Sequence, residues 1–271
     1  GVRVSDGSVR RSDESSGTPD GLHPRGVAVR TTPQTVIATA SAMAAVPRSP
    51  VHQGTCAAAP ASAMAEIMEA ARLVSRYHYT GEPVPDGSVR GLPAPSIEDQ
   101  RELLRGILTS RYPDKGLDLL RRTGFVAAFW PELAAMASVE QSKEHHPEGD
   151  VWIHTLAALR SRKHFGVALA AALLLHDIGK PLAREGGNKE RPFENHAEIG
   201  ANLATRFLRR LGFSHTLVSQ VDYLVRFHMM PAALPKLPLY RTERLMSSPL
   251  FPELLELYRA DLASMYREPA G

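Results

Sequence analysis

Imidazoles and carboxylates recur in the second half of this sequence at positions that helical periodicity sets on, or at the ends of, separate helices: His154, the adjacent pair His176 and Asp177, His196, His228 and Asp261. Imidazole with carboxylate is the ligand set expected of zinc, iron, manganese or nickel in hydrolytic or oxygen chemistry. The adjacent pair is the sharpest signal, because it closes Ala171-Ala-Leu-Leu-Leu175, part of the most apolar run in the chain. A carboxylate and an imidazole buried there would cost several kcal/mol unless each is hydrogen-bonded, paired or metal-bound. Adjacent helical residues point about 100° apart, so the pair can serve one metal from two directions, or Asp177 can bridge two. Gly179 is expected to let the chain turn sharply. Lys180 follows at the expected helix end, where it either complements the helix dipole or faces a substrate phosphate.

Each of these groups also has a bland reading. Asp261, inside Tyr258-Arg-Ala-Asp-Leu-Ala263, could pair with Arg259 or with a neighbour one turn away. His145 and His146 fall in a Pro-Gly loop, where exposure is the default, and stay outside the ligand set; His164 and His215 are expected to face solvent. The basic clusters Arg121-Arg122, Arg160 to His164 and Arg209-Arg210 read either as solvated helix faces or as an RNA-binding surface. No aromatic residues interleave them as a single-strand stacking platform would require.

Helices must position these groups. Ser96-Ile-Glu-Asp99 is a capping signature ahead of Leu103, Leu104, Ile107 and Leu108, which share one helical face. Shorter helices are expected over Gly116 to Thr123 and Phe125 to Ala137, the second kinked or split at Pro131. Asp150 to about Lys163 makes the next helix, and the apolar Val167 to His176 a central buried one. Asn195-His-Ala-Glu198 reads as a capping box opening a helix through Leu211 that Gly212 ends. Ser214 caps a helix to Met229, and a last one runs from about Pro252 to Tyr266. No segment alternates with period two in β-branched residues, so the expected fold class is all-α.

The first 63 residues differ in texture. They are rich in Ser, Thr, Ala, Pro and Gly and contain no Lys, Phe, Tyr or Trp. Burial there could hardly offset ordering entropy, so residues 1–63 are expected to be a disordered low-complexity tail and residues 64–271 an all-helical domain. Apolar residues make up 43% of the 271 and charged residues 23%, which excludes a chain disordered throughout or dominated by membrane spans. A single cysteine, Cys56, excludes a framework of paired cysteines and points to a reducing compartment such as the cytoplasm. The net charge of +3 permits phosphorylated or nucleic-acid partners without requiring them.

His154, His176-Asp177 and Asp261 match the H…HD…D pattern of the HD superfamily of metal-dependent phosphohydrolases, and the chain resembles that superfamily. More specifically it resembles the HD region of the tRNA nucleotidyltransferase and poly(A) polymerase family. The segments carrying that likeness are Gly116-Leu-Asp-Leu-Leu120, Phe129-Trp-Pro-Glu-Leu133, His145 to Trp152 with His154-Thr155, Leu175-His-Asp-Ile-Gly-Lys-Pro181, Phe193 to Ala201, Leu211-Gly-Phe-Ser214 and Leu224 to Pro231. They run in order across about residues 98–266. Members of that family that add nucleotides carry a nucleotidyltransferase head, and residues 1–95 supply neither its Gly-rich motif nor an Asp-x-Asp pair. The expectation is therefore a stand-alone HD helical bundle.

The resemblance implies a metal site of His154, His176, Asp177 and Asp261, with Asp177 bridging to a second site that holds His196 and His228. It implies one or two divalent ions (Mn, Fe, Ni, Zn or Mg) and hydrolysis of a phosphomonoester or phosphodiester in a nucleotide-like or phosphorylated small-molecule substrate. Asp177 and Lys180 would be the catalytic pair, with Lys180 and Arg191 steering the substrate phosphate. The alternative it leaves is a non-catalytic module or accessory subunit that contacts RNA or tRNA. No membrane partner is expected.

Overall fold

The computed structural model describes residues 60–77, 88–139, 149–186 and 193–265, all within one unit spanning Thr55–Gly271. The expected tail lies outside these residues except at its end, where helix α1 (Pro60–Tyr77) begins a few residues before the expected boundary. Met64, Ile67, Met68 and Ala71 are buried on one face of α1. That helix packs on α3 (Pro113–Arg122), and Gly116 makes the approach possible: a Cβ there would lie 2.8 Å from the Ala71 carbonyl and collide with Ser75 Oγ.

Local signals account for most helix ends. Ser96 Oγ accepts the Asp99 N–H at 3.0 Å and starts α2 (Ile97–Leu108), which buries Leu103, Leu104, Ile107 and Leu108. The apolar stretch after Gly124 is split, as Pro131 demands, into α4 (Phe125–Phe129), α5 (Pro131–Ala134) and a 3-10 turn over Ala135–Ser138. Trp130 at the break is fully buried, and its indole N–H donates to Gln100 Oε1 at 3.1 Å. Asp150 accepts the Ile153 N–H at 2.8 Å and caps α6 (Val151–Ser161).

The expected extension of α6 to Lys163 does not form. Arg162 leaves the helix, is buried, and donates to the carbonyls of Leu159, Leu108 and Ser110, closing the ends of α6 and α2 together. Burial lowers its pKa to about 10 against the pull of Asp114. It is therefore a structural cation and not part of a solvated basic cluster.

Helix α7 (Val167–Leu175) is apolar all round, with Leu169 to Leu175 buried, and packs against α2, α6, α9, α10 and α13. After it come α8 (Lys180–Gly186), α9 (His196–Arg210) and α10 (His215–Phe227). The α9–α10 corner is a Schellman end: Gly212 has φ +72°, its N–H reaches Arg209 O, and the Phe213 N–H reaches Leu208 O at 3.0 Å. Ser214 caps α10 through the Leu217 N–H. Short α11 (Met230–Ala233) and a 3-10 turn precede α12 (Leu239–Met246), a helix that the flanking Pro235 and Pro238 hid from sequence periodicity. The last helix, α13 (Phe251–Met265), lies against α6 and α7. The described residues form helices and turns with no strand, an all-α bundle, and none of these helices is long and apolar enough to cross a membrane.

Gly179 lies in the turn between α7 and α8, as expected, and what that turn asks of it is close approach. It is not among the glycines with positive φ; it lies where the segment after α7 crosses the start of α9, and a Cβ there would run into the His196 carbonyl and lie 2.6 Å from Gly200 N. Gly179→Ala is expected to destabilise the fold by at least about 1–3 kcal/mol, read as a lower denaturation midpoint. Gly200→Ala, whose Cβ would meet Gly179 N at 3.3 Å, should cost less. Negligible loss in both variants would contradict this account of the crossing.

Candidate metal centre

The C-terminal end of α7 is where five segments deliver polar side chains into the core. His154 comes from the first turn of α6, His176 caps α7, Asp177 follows it, His196 opens α9, His228 caps α10, and Asp261 sits in α13. His154 and His176 are wholly buried, and Asp177 and His228 are 1% exposed.

Asp177 is the centre of this cluster. Its Oδ2 lies 3.2 Å from His176 Nε2 and 3.6 Å from His154 Nε2, while its Oδ1 lies 3.4 Å from His196 Nε2 and 4.0 Å from His228 Nε2. Asp261 Oδ1 approaches His154 Nε2 at 2.9 Å and His176 Nε2 at 3.6 Å. Two triads able to hold a metal result, His154–His176–Asp177 and Asp177–His196–His228, sharing the one carboxylate.

Hydrogen bonds on the far side of the rings fix which nitrogen faces inward. Nδ1–H donates to a carbonyl three residues earlier in three cases: His176 to Leu173 at 2.8 Å, His196 to Phe193 at 2.8 Å and His228 to Val225 at 2.7 Å. Each of these rings sits at a helix end or beside a turn, and Phe193 O and Val225 O also accept the backbone N–H of His196 and His228, so each of those two carbonyls uses both lone pairs. With Nδ1 carrying hydrogen, Nε2 offers its lone pair inward. The Nε2 atoms then meet in pairs, His154 with His176 at 3.3 Å and His196 with His228 at 3.2 Å. Lone pairs at that separation repel unless a cation lies among them, and Asp177 Oδ2 has no directed hydrogen bond beyond its ion pair with Lys180. This donor set fits a divalent metal.

Charge leads to the same requirement. Two carboxylates face one ammonium, Lys180 Nζ, 2.7 Å from Asp177 Oδ2. Without a metal, protons make up the deficit. Burial opposes charge on His176, but Asp177 and Asp261 overcome it and raise its pKa to about 10. The same carboxylates are held low: burial works against their ionisation, and His176 beside Asp177 and His154 beside Asp261 outweigh it. His228 goes the other way, lowered to about 4 by burial and by the charge on His176, and burial also lowers His196.

The remaining sequence candidates divide clearly. Lys180 begins α8 instead of ending α7, so the helix-dipole reading fails. It is buried against Asp177, with its Nζ 5.5 Å from the centroid of the Phe193 ring. Arg259 pairs with Glu256 at 2.7 Å and donates to Ser161 O, leaving Asp261 to His154. The capping box at Asn195 does not form: Asn195 adopts φ +61° with no side-chain cap, in the turn that presents the Phe193 carbonyl to the His196 ring. Arg121 and Arg122 both reach Asp118, and Arg210 pairs with Glu132, as solvated faces do. Arg191, His145 and His146 lie outside the described residues. Sequence reasoning missed the carbonyls of Leu173, Phe193 and Val225 and the hydroxyl of Ser264, which lies 3.0 Å from His154 Nδ1.

Comparison with known proteins follows the same residues. The family model described as HD domain matches residues 151–265. The A-adding tRNA nucleotidyltransferase of Deinococcus radiodurans is 33% identical over 211 residues, covering 71% of this chain and 47% of that protein. The CC-adding tRNA nucleotidyltransferase of Thermus thermophilus is 35% identical over 177 residues, 62% of this chain and 39% of that protein. The multifunctional CCA protein of Halorhodospira halophila is 36% identical over 131 residues, 48% of this chain and 31% of that protein. The chain thus spans about a third to a half of the length of these relatives.

The pKa shifts set a pH profile for the metal-stripped protein. The raised value of His176 means its proton stabilises the fold fully below the unfolded value of 6.5 and that this stability is lost as pH climbs toward 10. His228 has the opposite sign: between 6.5 and about 4 the unfolded chain takes up a proton that the folded one refuses, so stability falls as pH falls. Thermal melts should therefore peak near neutrality, and His176→Asn should flatten the alkaline side. An alkaline limb as steep in His176→Asn as in the parent would refute this assignment.

Proposed function

We propose that this chain, which carries an HD domain over residues 151–265, is a metal-dependent phosphohydrolase acting on a phosphomonoester or phosphodiester bond of a nucleotide-like substrate. The observation that carries the proposal is the shared carboxylate: each oxygen of Asp177 faces its own pair of imidazole Nε2 atoms. On this reading His154, His176, Asp261 and Asp177 Oδ2 hold one ion, and His196, His228 and Asp177 Oδ1 hold a second. Divalent ions so held would polarise a phosphoryl group and supply a water that ionises near neutral pH.

The chain's own groups do the rest. Lys180 fixes the Asp177 carboxylate so that one oxygen turns to each triad, and its charge, with that of Arg191, attracts an anionic substrate. Helix α7 and its neighbours exclude bulk water, which strengthens each of these interactions. Access is from the side of His196 and Asp261, whose side chains keep 13% and 12% exposure against 2% or less for the other cluster members.

A second reading, an RNA-contacting module, draws on the names of the tRNA-directed relatives and on α12. There Tyr240 is 66% exposed beside Arg241 and Arg244, an aromatic and two cations on one solvated helix. It predicts tRNA binding that weakens with salt, persists after chelation, and declines when Arg241 and Arg244 are changed to Ala.

Elemental analysis of protein purified without added metal or a His tag, together with a phosphatase and phosphodiesterase screen, tests the hydrolase. One or two ions per chain are expected, with metal and hydrolysis both lost in Asp177→Ala and one ion retained in His196→Ala. Undiminished metal and hydrolysis in Asp177→Ala would sink the assignment. A chain that takes up no Mn, Zn, Ni or Fe but binds tRNA would favour the module.

A further inference from the structure

Helices α9 and α10 form an antiparallel hairpin whose chain is continuous at one end only, through the turn over residues 212–214. His196 opens α9 and His228 caps α10, so the two rings stand together at the open end, roughly 20 Å from that turn by the length of α10. The apolar seam between the helices stops short of them. On α9 it runs from Leu208 back through Phe207, Ala204 and Ala201 to Gly200, where a Cβ would lie 3.4 Å from Val225 Cγ1; residues 196–199 are half-buried or exposed. The Gly179 crossing holds the first turn of α9 against the segment after α7, not against α10. Yet the Nε2 atoms of His196 and His228 stand 3.2 Å apart.

One side chain spans the open end. The guanidinium of Arg226 is oriented by its own helix, with Nε 3.3 Å from Asp222 Oδ2 and Nη2 2.8 Å from Asp222 Oδ1, one turn back. Its outer edge crosses to α9, where Nη1 donates to Glu198 Oε1 at 3.0 Å and Nη2 to Asn202 Oδ1 at 3.3 Å. Glu198 and Asn202 share one face of α9, and Glu198 is two residues from His196 as Arg226 is two from His228. A planar fork of five donors can hold three acceptors on two helices at once, which a single ammonium cannot. The side chains of Arg226 and Glu198 are 27% and 72% exposed, and ion pairs so exposed add little to stability. What the network contributes is geometry.

We propose that Arg226 is the positioning residue that ties the start of α9 to the end of α10 and so sets the spacing of His196 and His228 for the second ion. The inference rests on the metal-centre reading above and deepens it. With lysine at 226, α10 keeps its charge and a partner in Asp222 but loses its hold on α9, and the two rings move apart at the open end. The pair His154 and His176 comes from α6 and α7 and stays in place.

The test uses Arg226→Lys in the full chain, the double variant Glu198→Ala/Asn202→Ala, which breaks the same bridge from α9, and Arg210→Lys, which breaks a comparable exposed pair with Glu132 at the far end of α9. Calorimetric titration with Mn2+ alone reads each ion, and proton–nitrogen NMR of the imidazoles at fixed pH reads the rings in the metal-stripped protein. Arg226→Lys and the double variant are expected to bind the second Mn2+ about 10–100-fold more weakly with the first unchanged, and to shift the His196 and His228 signals but not those of His154 and His176. Arg210→Lys should match the parent in both. Unchanged binding of the second ion, equal weakening of both ions, or the same loss in Arg210→Lys would overturn the proposal. If the parent binds fewer than two Mn2+, the two-ion reading fails separately, and the ring signals decide the positioning role: unmoved His196 and His228 signals in Arg226→Lys overturn it. Should Arg226→Lys not fold, the double variant carries both readouts.

Discussion

A carboxylate buried at the end of the most apolar helix is the constraint around which the rest is arranged. Asp177 is 1% exposed and follows directly on α7, so water cannot solvate it and the protein must. Lys180, one turn on, supplies one positive charge; four imidazoles and a second carboxylate surround the remainder. Removing one partner from such a buried group costs ~3–5 kcal/mol, because the charge left behind has nowhere to go. A chain selected for stability alone would fill this position with leucine.

The helices are spaced and ended to meet that constraint. His176 and His228 both cap their helices, so each ring reaches a last-turn carbonyl and projects Nε2 beyond the helix into the shared space. The start of α9 is brought close by the Gly179–Gly200 crossing, where a methyl group on Gly179 would push His196 away from its partners. Asn195 takes a left-handed conformation rather than capping the helix, and the turn it closes hands a carbonyl to the His196 ring. Backbone strain and lost capping are tolerated where they serve the cluster.

How much of this was legible in the sequence depends on whether the cause is local. Ser96, Asp150, Ser214 and Gly212 announce helix ends because their hydrogen bonds reach only a few residues along the chain. His176 and Asp177 stood out because such residue types are out of place at the end of an apolar run, whereas His154, His196, His228 and Asp261 joined the ligand set through the resemblance to the HD superfamily. What the sequence did not disclose is set by partners distant in the chain: Arg162 looked like one of a solvated cluster until the carbonyls of α2 claimed it, and Ser264 looked like any helical serine until α6 brought His154 against it. Lys180 misled for a related reason, since its role follows from where α7 stops. Helix α12 went unseen because Pro235 and Pro238 interrupt the chain just before it, and it is short and buries little besides Leu245.

The two halves of the cluster are chemically unequal, and this has a consequence for how a cation would be shared. The half built from His154, His176 and Asp261 holds its own carboxylate in addition to an oxygen of Asp177, and in the absence of metal it pulls a proton onto His176 with a pKa of about 10. The half built from His196 and His228 has only the other oxygen of Asp177, and both rings there resist protonation. A cation entering the first half replaces a proton and neutralises two carboxylates; one entering the second must be stabilised by neutral imidazoles and by half of a carboxylate already shared. On the proposed metal reading, the first half would be the tighter position and the second the exchangeable one. His196, the more exposed of the two rings, stands on the side where exchange is easiest.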